Sequence, residues 1–156
     1  TSETSTSVRI LRLLLAAKYE VEPRAWVDAG AGCNALLLIG DQALRALHDR
    51  HPAPHRIDIG TEWVEWTGLP LVCAVWAARP GVELGDWPER LEAHKRRNRA
   101  RLAEIAAGWR DLEYDRLTPA EALEYLTRHV DHDLDAAALA GLERFRREGA
   151  ALGLFD

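Results

Sequence analysis

Val8, Leu11, Leu14 and Leu15 recur at helical spacing near the start of the chain, with Arg9, Arg12 and Lys18 on the wetter side. The pattern predicts a helix over residues 5–19. "VEPRAWV" then reads as a short strand, because Pro23 blocks a helix and Trp26 and Val27 favour a sheet. "ALLLIGD" is a continuous apolar run ended by Gly-Asp, the pattern of a strand buried on both faces. "QALRALHDRH" predicts a helix after Asp41, "HRIDIG" another strand, and "TEWVEWTG" one or two helical turns with Trp63 and Trp66 on one face. "LPLVCAVWAARP" is a second strongly apolar run and reads as a central strand. This alternation of strand and helix argues an α/β domain.

After Pro80 the pattern becomes helical and charged. "WPERLEAHKRRNRARLAEIAAGWRDL" predicts helix with one solvated face. "LTPAEALEYLTRHV" carries a capping box, with Thr118 as N-cap, Pro119 at N1 and Glu121 at N3. "DLDAAALAGLERFRREGAALGL" predicts a last helix capped by Asp133 or Asp135.

Composition narrows the class. A chain of 156 residues with a 47% apolar share is long enough for one domain with a core and is not a disordered tail. A net charge of −5 argues against nucleic-acid binding driven by overall charge. No apolar run is long enough to span a membrane as a helix. Cys33 and Cys73 stand apart in apolar surroundings and read as buried small hydrophobes, and the tryptophans read as core anchors. A chain that opens on Thr1 reads as processed, trimmed or cut from something longer.

The candidate chemistry is sparse. Six of the first seven residues carry hydroxyls, in "TSETSTS" all but Glu3. Thr4, Ser5, Thr6 and Ser7 straddle a helix start, where backbone N–H groups lack intrahelical partners and the dipole end is positive. Such a mouth caps itself or receives a carboxylate or phosphate. Gly40 and Asp41 end an apolar run, where open α/β sheets collect ligands; Asp41 also serves as an N-cap for the next helix. Gly68 and Pro70 in "WTGLP" read equally as a helix stop or as a hinge. "HVDHDLD" falls between two helices and reads as a hydrated turn rather than a metal site; "HKRRNR" reads as a solvated face. There is no Ser-His-Asp pattern, P-loop or dinucleotide fingerprint.

Three stretches, "TSTSVRILRLLL", "ALLLIGDQALRA" and "IDIGTEWVEWTGLPLVCAVWAAR", together resemble the MqnA family, the chorismate dehydratases of the futalosine route to menaquinone. The third is the most specific, through Asp58, Trp63, Trp66, Gly68, Pro70 and Trp76. The resemblance implies a two-lobed fold similar to type II periplasmic binding proteins, of which this chain is the C-terminal portion. Residues 1–58 would be the second lobe, and residues 59–156 the crossover and return to the first. It implies a cytoplasmic hydro-lyase without metal or organic cofactor, with chorismate as its small-molecule partner, no nucleic acid or membrane partner, and a homodimer among the allowed assemblies. Thr4, Thr6 and Ser7 match the family's hydroxyl pattern and Gly40 and Asp41 its Gly-Asp, so these five are the expected substrate-binding residues. The resemblance implies that the family's catalytic polar residues lie mostly in a segment before Thr1, so none is placed on this chain. The stretch before Gly40 is also shorter than the family's spacing. Apolar side chains of "LPLVCAVWAA" and of the C-terminal helices are then expected on a surface without a partner. Two other readings stay open: the sister MqnD family, which makes 1,4-dihydroxy-6-naphthoate, and a solute-binding protein for a small carboxylate.

Overall fold

The computed structural model describes residues 6–28, 32–40, 42, 43, 46, 53–108 and 118–155. Within these, the chain is built from helices and irregular connections, and no described residue pairs into a β-ladder.

Helix α1 spans Thr6–Leu13 and continues as a π-helical turn, Leu14–Lys18. Its buried face is Ile10, Leu13 and Leu14, while Val8, Leu11 and Leu15 are half-buried. The pattern located the helix but set its core stripe one position off. Six apolar residues in eight leave two candidate stripes, and the partner surface chose between them. Helix α2 spans Ile59–Thr67. Asp58 caps it by accepting from the Thr61 amide at 2.7 Å, and Gly68 ends it in the left-handed region at φ +68°.

In the second half, α3 spans Trp87–Arg99, α4 Leu102–Ala107, and α5 Pro119–Glu124 with a π-helical continuation over Tyr125–His129. The capping box at α5 forms as read: Thr118 accepts from the Glu121 amide and the Glu121 carboxylate accepts from the Thr118 amide. Helix α6 spans Ala136–Ala151, and Asp135, one of the two expected caps, accepts from the Ala138 amide at 2.8 Å.

The chain divides into two compact units, residues 1–75 with 134–156, and residues 76–133. The first holds the aromatic core: Ile10, Leu13 and Leu14 of α1, Trp63 of α2 and Phe145 of α6, with Ile59, Trp66, Leu71 and Phe155 packed against it. Trp63 meets both Trp66 (5.8 Å between ring centroids) and Phe145 (6.2 Å) edge to face, the arrangement favoured by ring quadrupoles.

Three other tryptophans do not follow Trp63. Trp26, Trp76 and Trp87 are exposed, Trp76 to 89%. Cys33 and Cys73 are exposed too, so the expectation of buried cysteines does not hold. All five lie in or beside stretches outside the packed helix faces, where apolar composition alone finds no surface to bury against. In the run 69–78, Leu71 and Val72 are half-buried, whereas residues 73–78 are exposed.

Candidate functional site

The hydroxyl-rich start of α1 is the first element. Thr6 and Ser7 are its opening residues, both half-buried, and no acidic side chain stands in its first turn. The positive end of the helix is therefore not offset by a carboxylate of its own first turn, as an anion receptor requires. Thr4 lies outside the described residues. Gly40, expected at the end of a strand, instead opens a helical turn with Gln42, Ala43 and Ala46. Its φ of +54° lies in the left-handed region that favours glycine, and a Cβ there would meet nothing within 4 Å. Asp41 lies outside the described residues.

The far end of α1 is tied to the start of α2. Lys18 follows Ile10 and Leu14 at helical spacing, so it emerges on the buried side and is itself half-buried. Its ammonium pairs with the Glu62 carboxylate and donates to the Glu62 carbonyl at 3.3 Å, with Glu65 at 3.6 Å. The Tyr19 hydroxyl donates to the same carboxylate. These two hydrogen bonds, from Lys18 first and Tyr19 second, hold the Glu62 carboxyl below its ordinary range. In return the hydrogen bond to Glu62 raises both the Lys18 ammonium and the Tyr19 phenol. The pattern had placed Lys18 on the wet side; the i, i+4, i+8 series Ile10, Leu14, Lys18 was the signal that could have found it.

The loop after α2 is clamped. Thr67 donates through its hydroxyl to the Trp63 carbonyl at 2.7 Å and accepts from the Leu69 amide at 3.2 Å. The Trp63 indole donates to the Pro70 carbonyl at 3.2 Å. Helix α6 rides directly on this loop, for a Cβ at Gly141 would overlap the Pro70 carbonyl oxygen. These bonds, with Gly68 in the left-handed region, form the helix stop that is one of the two readings of "WTGLP".

A groove of about 430 Å³ opens at the C-terminal end of α1, lined by Arg12, Glu20, Trp26, Leu152 and Leu154 among others. The Arg12 guanidinium sits 4.8 Å from the centre of the Trp26 ring. This groove lies at the opposite end of α1 from Thr6 and Ser7.

In the other unit, Asp133 does not cap α6 but binds Lys95 at 2.7 Å and also Arg99. Hydrogen bonds from those two cations, Lys95 first and Arg99 second, hold its carboxyl below the ordinary range. The basic run of α3 thus has one assignment within the fold, while no residue of α3 is buried. Among the described residues, no group of three or more His, Cys, Asp or Glu side chains is placed to hold a metal ion. Nor, among them, is any helix long and apolar enough to cross a membrane.

Comparison with known proteins adds what geometry alone does not. Residues 1–151 match the family described as menaquinone biosynthesis. A chorismate dehydratase from Thermus thermophilus is 34% identical over an alignment of 98 residues, which takes in 51% of this chain and 36% of that relative. The chain therefore spans little more than a third of the length of that relative. No solved structure matches.

Proposed function

Because the chain belongs to the menaquinone biosynthesis family, matched over residues 1–151, we propose that it serves a chorismate dehydratase, a lyase that removes water from chorismate to give 3-[(1-carboxyvinyl)oxy]benzoate. The observation that carries this reading is the family match together with the 34% identity to a relative of that name. In the reaction, the bond from the ring carbon to its hydroxyl breaks and a ring proton leaves. The electron pair left behind completes an aromatic ring. Aromatisation supplies a large driving force, so the protein has chiefly to orient the substrate and assist departure of the hydroxyl.

The start of α1 suits the orienting part. Chorismate is a dianion at neutral pH. The opening turn at Thr6 and Ser7 stands at the positive end of a helix dipole, with no acidic side chain of its own. Thr4, Gly40 and Asp41 complete the proposed binding set. The type II binding-protein fold belongs to the same proposal. The exposed apolar run ending at Val75 and Trp76 supports it, because such a run suits a sheet position covered on both faces.

The test is an assay of the full-length protein with chorismate, following the aromatic product by absorbance and mass. Turnover of chorismate is the expected result. Turnover of cyclic dehypoxanthine futalosine instead would move the chain to the sister enzyme, and binding of carboxylates without turnover would make it a solute-binding protein.

A further inference from the structure

Three segments distant in sequence meet at the C-terminal end of α1 and line the groove of about 430 Å³, a volume in the range of small-molecule sites. The helix and its π-helical turn supply Arg12 and Ala16. The stretch that follows supplies Glu20, Glu22 and Trp26, and the C-terminal tail supplies Leu152 and Leu154.

Each wall has its own anchor. Glu20 stands in the left-handed region at φ +54°, a place that glycine takes without strain. Its turn brings the Val21 amide to the Leu15 carbonyl at 2.8 Å, and the chain then returns far enough to lay Trp26 against Arg12. On the tail side, Gly153 turns at φ +63° and the Leu154 amide donates to the Gly149 carbonyl at 2.8 Å. The Leu154 carbonyl accepts from Arg9 Nε at 2.9 Å. The Phe155 ring takes the space beside Gly149 and meets Phe145 edge to face at 5.2 Å, which ties the tail to the core. A groove walled in this way is organised before any ligand arrives.

Its charges are unmatched. The Arg12 guanidinium carbon lies 4.8 Å from the centre of the Trp26 ring, and among the described residues no carboxylate pairs with it. The ring contact takes up no lone pair, so the N–H donors of Arg12 stay available. Among the described residues Glu20 and Glu22 have no side-chain partner either. One cation and two carboxylates therefore line a single groove without closing on one another, beside an apolar wall.

We propose that this groove binds a small zwitterion, an α-amino acid with a large apolar side chain. Its carboxylate pairs with Arg12, its ammonium with Glu20 or Glu22, and its side chain lies on Ala16, Leu152 and Leu154. A ligand of one charge sign leaves part of the lining unmatched. The site stands apart from the opening turn of α1 and does not depend on the dehydratase reading.

The test titrates the full-length protein with L-phenylalanine and follows the Trp26 indole N–H by NMR, the signal being identified by its loss in Trp26→Phe. A saturable shift with a Kd on the order of 1 mM is expected. Phenylpropionate, which lacks the ammonium, and phenethylamine, which lacks the carboxylate, should each bind about tenfold more weakly. Arg12→Gln should weaken L-phenylalanine about tenfold. Glu20→Gly combined with Glu22→Gln should do the same while leaving the urea midpoint no lower, because glycine suits the left-handed turn. The absence of a saturable shift overturns the site. Equal binding of phenylpropionate overturns the zwitterion, and unchanged affinity in Arg12→Gln overturns the pairing with the guanidinium. Affinity that falls only together with the urea midpoint marks general unfolding and overturns the assigned contacts.

Discussion

Replacing Gly141 by alanine sets two physical rules against each other. Gly141 lies in the middle of α6, where helix propensity alone predicts that alanine stabilises by about 1 kcal/mol. The structure predicts the opposite. A Cβ would overlap the Pro70 carbonyl oxygen and stand 3.3 Å from its carbon and 3.6 Å from Leu69 Cβ. None of these is the free end of a flexible side chain. The Pro70 carbonyl is also the acceptor for the Trp63 indole, and Trp63 is wholly buried. Moving the loop stretches that hydrogen bond, and moving α6 opens the contact between Trp63 and Phe145. Overpacking costs about 1–3 kcal/mol and a strained buried hydrogen bond about 1 more. Set against the propensity gain, the net is a loss of about 1–3 kcal/mol. The assay is urea unfolding followed by tryptophan fluorescence, in which the midpoint should fall while the slope stays constant. Gly108→Ala is the control, since a Cβ there finds only ordinary contacts at 3.5 and 3.6 Å and φ is −83°. A midpoint that rises for Gly141→Ala would refute the packing argument and return the site to simple helix propensity.

Further outcomes are expected elsewhere. Replacing both Thr6 and Ser7 by alanine should raise KM for chorismate, the helix-dipole share of the anchor being about 0.3–2 kcal/mol, and unchanged kinetics would remove the anchor. Thr118→Ala should lower stability by about 1 kcal/mol through loss of the capping box, with Thr118→Ser restoring it in the same unfolding assay. The Glu62 carboxyl is held below its ordinary value of 4.5, so its pairing contributes fully above that value and is lost as pH falls through the lower folded one. A carboxyl NMR titration should find that midpoint below the ordinary one, and Lys18→Met should move it back up. By the same sign, Asp133 should titrate below its ordinary value of 3.8, and Lys95→Met and Arg99→Met should each raise its midpoint.

What the sequence by itself determined is what rests on contacts within one helical turn. Thr118 with Glu121, Asp135 at the head of α6 and Gly68 at the foot of α2 all act on backbone groups a few residues away, so their spacing declares them. The three stretches that resemble a family belong here as well, because side-chain identity at fixed spacing carries that likeness. Burial was decided only by the tertiary structure. Trp76 stands in the more apolar stretch of sequence and is exposed, whereas Trp63, between Glu62 and Val64, is sealed in the core. Lys18 read as solvated and proved to be the tie between two helices, and Asp133, one of two cap candidates with Asp135, proved to be a counter-ion. The hold of the C-terminal tail on Arg9 joins residues 145 positions apart. A contact of that separation has no periodicity to announce it. It exists only where two folded surfaces meet, and the free energy of burial and pairing depends on both.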